Sequence, residues 1–178
     1  MTNVTLTSSS GFANIIQGQQ CVGGIGGAIK SVQARILNCT VTNTFVNATC
    51  KGGGVFGAVE VQTMFLNCYN LGFPSNPSAP IVQCTGRACG GLIGWVQYSI
   101  INASGVESGT VSGSSEVGAV VGYINCSAGM DSIYARPAVT LVSTNSTDCG
   151  GLIGTVFVGS SFQLSNSYSR ASLNCSNT

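Results

Sequence analysis

The side chains with chemistry to offer are few and scattered. The chain has 178 residues, among them five Asp or Glu, six Lys or Arg, and no histidine. The carboxylates, Glu60, Glu107, Glu116, Asp131 and Asp148, recur at no common spacing, so no pair of the kind glycoside hydrolysis needs is predicted. Without histidine, imidazole general-base catalysis is excluded and metal sites lose their commonest ligand. The sequence therefore assigns no catalytic residue, no cofactor site and no metal site. Lys30, Arg35, Lys51, Arg87, Arg136 and Arg170 form no cluster, and the net charge is +1. That balance excludes an electrostatic nucleic-acid binder, which needs a basic patch to displace counterions.

Cysteine and asparagine remain. The nine cysteines have no zinc-site spacing, and their number is high for a reducing compartment. Disulfides between neighbouring repeats are expected, Cys39 with Cys68 and Cys21 with Cys50, while Cys84 and Cys89 flank a short loop that a bridge would close. An odd count leaves one cysteine free or linked between chains, with Cys126 or Cys175 the candidates. N-glycosylation acceptors occur at Asn3, Asn38, Asn47, Asn102, Asn125, Asn145 and Asn174, whereas Pro77 disqualifies Asn76. Polar surroundings favour Asn102 and Asn145 as occupied sites. Cysteines and acceptors together predict an extracellular or cell-surface protein carrying covalent N-glycans. Met1 to Gln20 lack the basic start and apolar run of a secretory signal. No run of eighteen apolar residues is present to span a membrane as a helix.

The elements that must hold these residues are legible as a repeat. Five segments share the pattern x-G-[GA]-[ILV]-x-G-x-[IV], starting at Val22, Gly52, Cys89, Val117 and Cys149. The starts are therefore 30, 37, 28 and 32 residues apart. Each motif leads into an apolar stretch ending in Asn, Ser or Tyr, such as Arg35–Val41 or Met64–Tyr69, and most repeats add a third short strand. No segment has helical periodicity with a cap. The prediction is an all-β solenoid of about five coils, preceded by a strand-like segment over residues 1–20 that lacks its own glycine motif. Stacking would align Ile25, Val55, Leu92, Val120 and Leu152 in one interior column and Ile29, Val59, Val96, Ile124 and Val156 in another. Glycine columns through Gly23 and Gly27 would leave room for an opposing wall.

The strings CGGLIGWVQYSIINAS and CGGLIGTVFVGSSFQLSNSYSRASL resemble the GLUG-type repeat, a glycine–leucine–glycine motif followed by a strand of the form I-x-N-x-Y/A. The resemblance covers about residues 22–178. It implies a surface or secreted β-solenoid with a structural or adhesive, non-catalytic role. Two functional readings follow. In the first, copies of the chain assemble head to tail into a filament or appendage, because the terminal coils show no polar cap. Phe12, Ile15 and Ile16 would then contribute to the contact between subunits, unless the segment instead folds back on its own first coil. In the second, Trp95, Tyr98, Tyr123, Tyr134 and Tyr168 line one groove of a glycan-binding adhesin.

Overall fold

The computed structural model describes residues 1–7, 14–30, 33–125, 127–144, 148–157 and 161–175. Phe12, Cys126 and Asn145 lie outside them. Among the described residues there is no α-helix, and every strand pairs parallel with its neighbours one turn away. The chain is a stack of coils with four walls, and no helix among the described residues is long and apolar enough to cross a membrane.

The glycine motif builds the first two walls. Val22–Gly23, Gly52–Gly53, Arg87–Gly90, Ser115–Gly118 and Cys149–Gly150 form the first, and Gly26–Ile29, Phe56–Val59, Ile93–Val96, Val121–Ile124 and Ile153–Val156 form the second. The motif is thus two short strands around a corner, not one straight strand with alternating faces. Its two glycines do different work. At Gly90 a Cβ would collide with the carbonyl oxygen of Ile93 on the far side of the corner. At Gly94 a Cβ would lie 2.6 Å from the Gly57 oxygen of the preceding coil and 2.7 Å from the Ala88 oxygen of its own first-wall strand, so the second wall rests on bare backbone on both sides.

The third wall stacks Ala34–Leu37, Thr63–Leu66, Ser99–Asn102, Ala128–Asp131 and Phe162–Ser165. The fourth is longer and kinked in its early levels. It runs from Thr5–Leu6 with Asn14–Gly18, through Thr40–Thr42 with Thr44–Ala48 and Tyr69–Gly72 with Pro80–Cys84, to Gly105–Gly113 and Tyr134–Ser143. Tyr168–Ser169 with Ser172–Cys175 close it. The insertion that makes the second repeat longest, Phe73–Ala79, leaves this wall between Gly72 and Pro80.

Side chains pointing inward form the expected columns. Val55, Leu92 and Val120 are fully buried, as are Val59, Val96 and Ile124 beside them. Ile36, Phe65, Ile101 and Met130 fill the third wall's interior, and Val46, Val82, Val111 and Leu141 the fourth's. At about 25 cal/mol per Å² of apolar surface removed from water, these columns are the main source of stability. The corners supply the polar detail. Asn38, Asn67, Ala103, Ser132 and Asn166 all take left-handed φ between 46° and 56° where the third wall turns into the fourth. Asparagine tolerates that conformation better than most residues. The Asn67 amide donates to Asn38 Oδ1 at 3.1 Å, and the Asn38 amide to Asn3 Oδ1 at 3.0 Å.

The described residues of the 1–20 segment are not a free tail. Thr5 and Leu6 pair with Thr40 and Val41, and Asn14–Gly18 pair with Thr44–Ala48, so the segment is the first level of the fourth wall on its own coil. Ile16 packs partly buried on the core, and Ile15 points outward, 64% exposed.

Candidate functional site

Two disulfides sit at the corner between the fourth and first walls. Cys84 bridges Cys89 with Cα atoms 6.0 Å apart, and Cys149 bridges Cys175 at 6.4 Å. The first closes the short loop expected from sequence. The second removes Cys175 as the odd cysteine. Cys89 and Cys149 stay apart, because Val117 occupies the level between them.

The other expected pairs are thiols. Cys39 and Cys68 do stand on adjacent coils, since Thr40 pairs with Tyr69. In-register neighbours point their Cβ atoms along parallel directions, about 4.8 Å apart, outside the 3.5–4.5 Å a disulfide needs. Each thiol donates to a carbonyl instead: Cys39 to Leu37, and Cys68 to Leu66 or Ile36. Burial pushes the Cys68 thiol up to about 11. Cys21 and Cys50 fail for a different reason. Val22 pairs with Gly52, so Cys21 lies beside Lys51 and the two cysteines are offset by one residue.

The aromatics do not line one groove. Trp95 and Tyr123 stack on successive coils of the second wall, 4.6 Å between ring centres, with Lys51 over the Trp95 ring at 4.3 Å. Arg87 lies over both rings and pairs with Glu116 at 2.8 Å. Burial raises the Glu116 carboxyl against the pull of that guanidinium. On the fourth wall Tyr69, Tyr134 and Tyr168 form a second stack, with Gly105 in the gap beneath Tyr134. Tyr134 donates to Glu107, which also pairs with Arg136 at 3.2 Å, and its hydroxyl is shifted well upward by burial and by that carboxylate. Only Tyr134 and Tyr168 are near parallel, and Lys51, Arg87 and Arg136 lie over the rings of Trp95, Tyr123 and Tyr134. Tyr98 alone lies in a groove, of about 960 Å³, that runs along the corner between the second and third walls with Met64, Ile100, Gln62 and Gln163.

The carboxylates are dispersed, and Glu116 among them is buried. Glu60 pairs with Lys51 at 3.3 Å and Lys30 at 3.9 Å. Asp131 accepts from Ser132, Ser165 and Asn166, which lowers its carboxyl below the usual range. No group of three or more potential metal ligands is found among the described residues. The acceptor asparagines are spread likewise. Asn3 and Asn38 belong to the corner ladder, Asn47 and Asn174 face outward from the fourth wall, Asn102 ends a strand of the third, and Asn125 follows the second.

The ends of the stack stand out from its middle. Among the described residues nine large apolar side chains are exposed, and seven belong to the terminal coils: Met1 and Ile15 at one end, Val156, Phe157, Leu164, Tyr168 and Leu173 at the other. Val156, Leu164 and Leu173 continue columns whose inner members are fully buried. They are core positions that are exposed in the last described coil. No sequence reasoning could weigh them, because they carry the same residue types as the interior. Compared with family models, with curated proteins and with solved structures, the chain matches none, so its own geometry is what describes it: a disulfide-stabilised all-β solenoid of about five coils.

Proposed function

We propose that the chain is a non-catalytic structural subunit of an extracellular or cell-surface assembly, belonging with the GLUG-type repeat solenoids and stacking head to tail with copies of itself. One observation carries the reading. Three interior columns reach the C-terminal coil unchanged and end uncovered in Val156, Leu164 and Leu173, 36%, 45% and 56% exposed. The strand edges beside them, Ile153–Val156 and Phe162–Ser165, have an unpaired side. Exposed edges of this kind template the addition of another chain. A second copy continues two of these columns at its first coil, Ile29 that of Val156 and Ile36 that of Leu164, and its wall edges have the same parallel sense.

Surface glycans suit such a subunit, because charged residues make up only 6% of the chain and provide little hydration or mutual repulsion. Asn102 and the outward-facing Asn47 and Asn174 are the acceptors we assign first, with Asn145 retained from the sequence. Electron microscopy and sedimentation of the purified full chain over a concentration series test assembly. Filaments whose length grows with concentration are expected, and a monodisperse monomer at every concentration would overturn the reading. Intact mass of the secreted material tests glycosylation separately. A glycan-binding role is favoured by the Tyr98 groove alone, and saturable binding of neutral oligosaccharides, lost in Tyr98→Ala, would establish it.

A further inference from the structure

The four walls do not have equal height. The first, second and third walls each have five levels among the described residues, whereas the fourth has six, because Thr5–Leu6 and Asn14–Gly18 add a level beneath Thr40–Ala48. Within the chain, each fourth-wall level leads upward into the next first-wall level: Gly18 into Val22, Ala48 into Gly52, Cys84 into Cys89. In a continuous stack of two copies, the upper copy's Val22–Gly23 must lie directly on the lower copy's Cys149–Gly150. The upper copy's Asn14–Gly18 and the lower copy's Ser172–Cys175 then claim the same level. Keeping both would hold the other three walls two levels apart, about 9.6 Å, and leave their edges unpaired.

We infer that head-to-tail assembly proceeds by strand exchange: the N-terminal level of one copy leaves its place on Thr40–Ala48, and Tyr168–Cys175 of a second copy fills it. The inference rests on the head-to-tail reading above. The registers give the fit. Ile16 and Leu173 occupy the same interior column, through Val46, Val82, Val111 and Leu141. Leu173, more than half exposed in the single chain, would be covered by the new neighbour's Val46. The level that leaves is flawed in the single chain, because the buried Asn14 Nδ2 has no hydrogen-bond partner, and an unsatisfied buried donor is destabilising. The exchange itself swaps one parallel level for another, and the net gain is the pairing of the three remaining walls. Residues 1–18 therefore act as a plug that limits assembly, the reverse of a subunit contact.

The test uses the full chain with single substitutions that keep the interior coils intact. Ile16→Asp weakens the plug and is expected to lower the concentration needed for assembly by about tenfold or more, since apparent affinity scales with the fraction of competent chains. Leu173→Asp should abolish assembly while leaving the circular dichroism of the monomer unchanged. A labelled peptide of residues 168–175, with Cys175→Ser, should bind full-length Ile16→Asp saturably and wild type weakly, and excess peptide of residues 1–18 should displace it. Filaments that form more slowly in Ile16→Asp than in wild type would overturn the exchange while the head-to-tail reading stands. Peptide binding without filaments in any variant would keep the slot and overturn the filament. Failure of the peptide to bind Ile16→Asp would overturn the exchange on its own.

Discussion

At the corner between the fourth and first walls, cysteines arrive from two different walls, Cys84 against Cys89 and Cys175 against Cys149, and both pairs are bridged. At the corner between the third and fourth walls, Cys39 and Cys68 arrive from the same position on successive coils, fully buried, and remain thiols. The contrast comes from direction rather than proximity. Side chains from two walls converge across a corner, so their Cβ atoms can meet. Side chains in one column run parallel and keep the spacing of the coils. A stacked column therefore provides packing and hydrogen bonds, and a corner provides covalent closure. The asparagine ladder belongs with the column: Asn38 and Asn67 bond along the stack through their amides, with no partner across the corner.

The comparison can be broken most severely from the column side. Cys68→Asp would place a carboxylate at a fully buried site beside Cys39. A loss of more than about 4 kcal/mol is expected, enough to leave little folded chain, as chemical denaturation would register. The pH dependence is the next largest effect. The Cys68 thiol rises from an ordinary 9.0 to about 11 in the folded chain, so its contribution is complete below pH 9 and is lost as pH rises through 11. Up to about 3 kcal/mol goes in that window. Comparing melting at pH 8 and pH 10.5 checks it, with Cys68→Ala as the control that should lack this component.

The corner side predicts a smaller, pH-independent effect. Replacing Cys84 and Cys89 together by serine removes a cross-link over five residues, worth about 2 kcal/mol by chain entropy. Denaturation of that double variant should match reduced wild type if Cys149–Cys175 is restored to both. The smallest expected change is Asn67→Ala, about 1 kcal/mol, from one ladder hydrogen bond and a left-handed φ of 55°. Asn67→Gly recovers the backbone part and loses only the hydrogen bond, so the difference between the two variants separates conformation from bonding.

The solenoid was written into the chain because its period is local. Five copies of a glycine pattern impose the same corner five times, and the aliphatic positions Val55, Leu92 and Val120 stack as soon as the corners do. The stacking of Cys39 over Cys68 was legible for the same reason, since both follow their motifs by nearly equal intervals. Whether such a pair bonds was not legible. That depends on the direction of each Cα–Cβ vector, which spacing does not encode. The same limit applies to the aromatics: Trp95 and Tyr123 share an offset, so their closeness was foreseeable, but their stacking on each other beneath Lys51 and Arg87 required the coordinates. The sequence leaves the place of residues 1–20 open between a subunit contact and the chain's own first coil, because a short strand pairs equally well with any edge of the right register. Only the closed coil, with Thr40–Ala48 presenting that edge next to the segment, decided it. Periodicity along the chain determined which residues stack; the turn of the coil in three dimensions decided which of them meet.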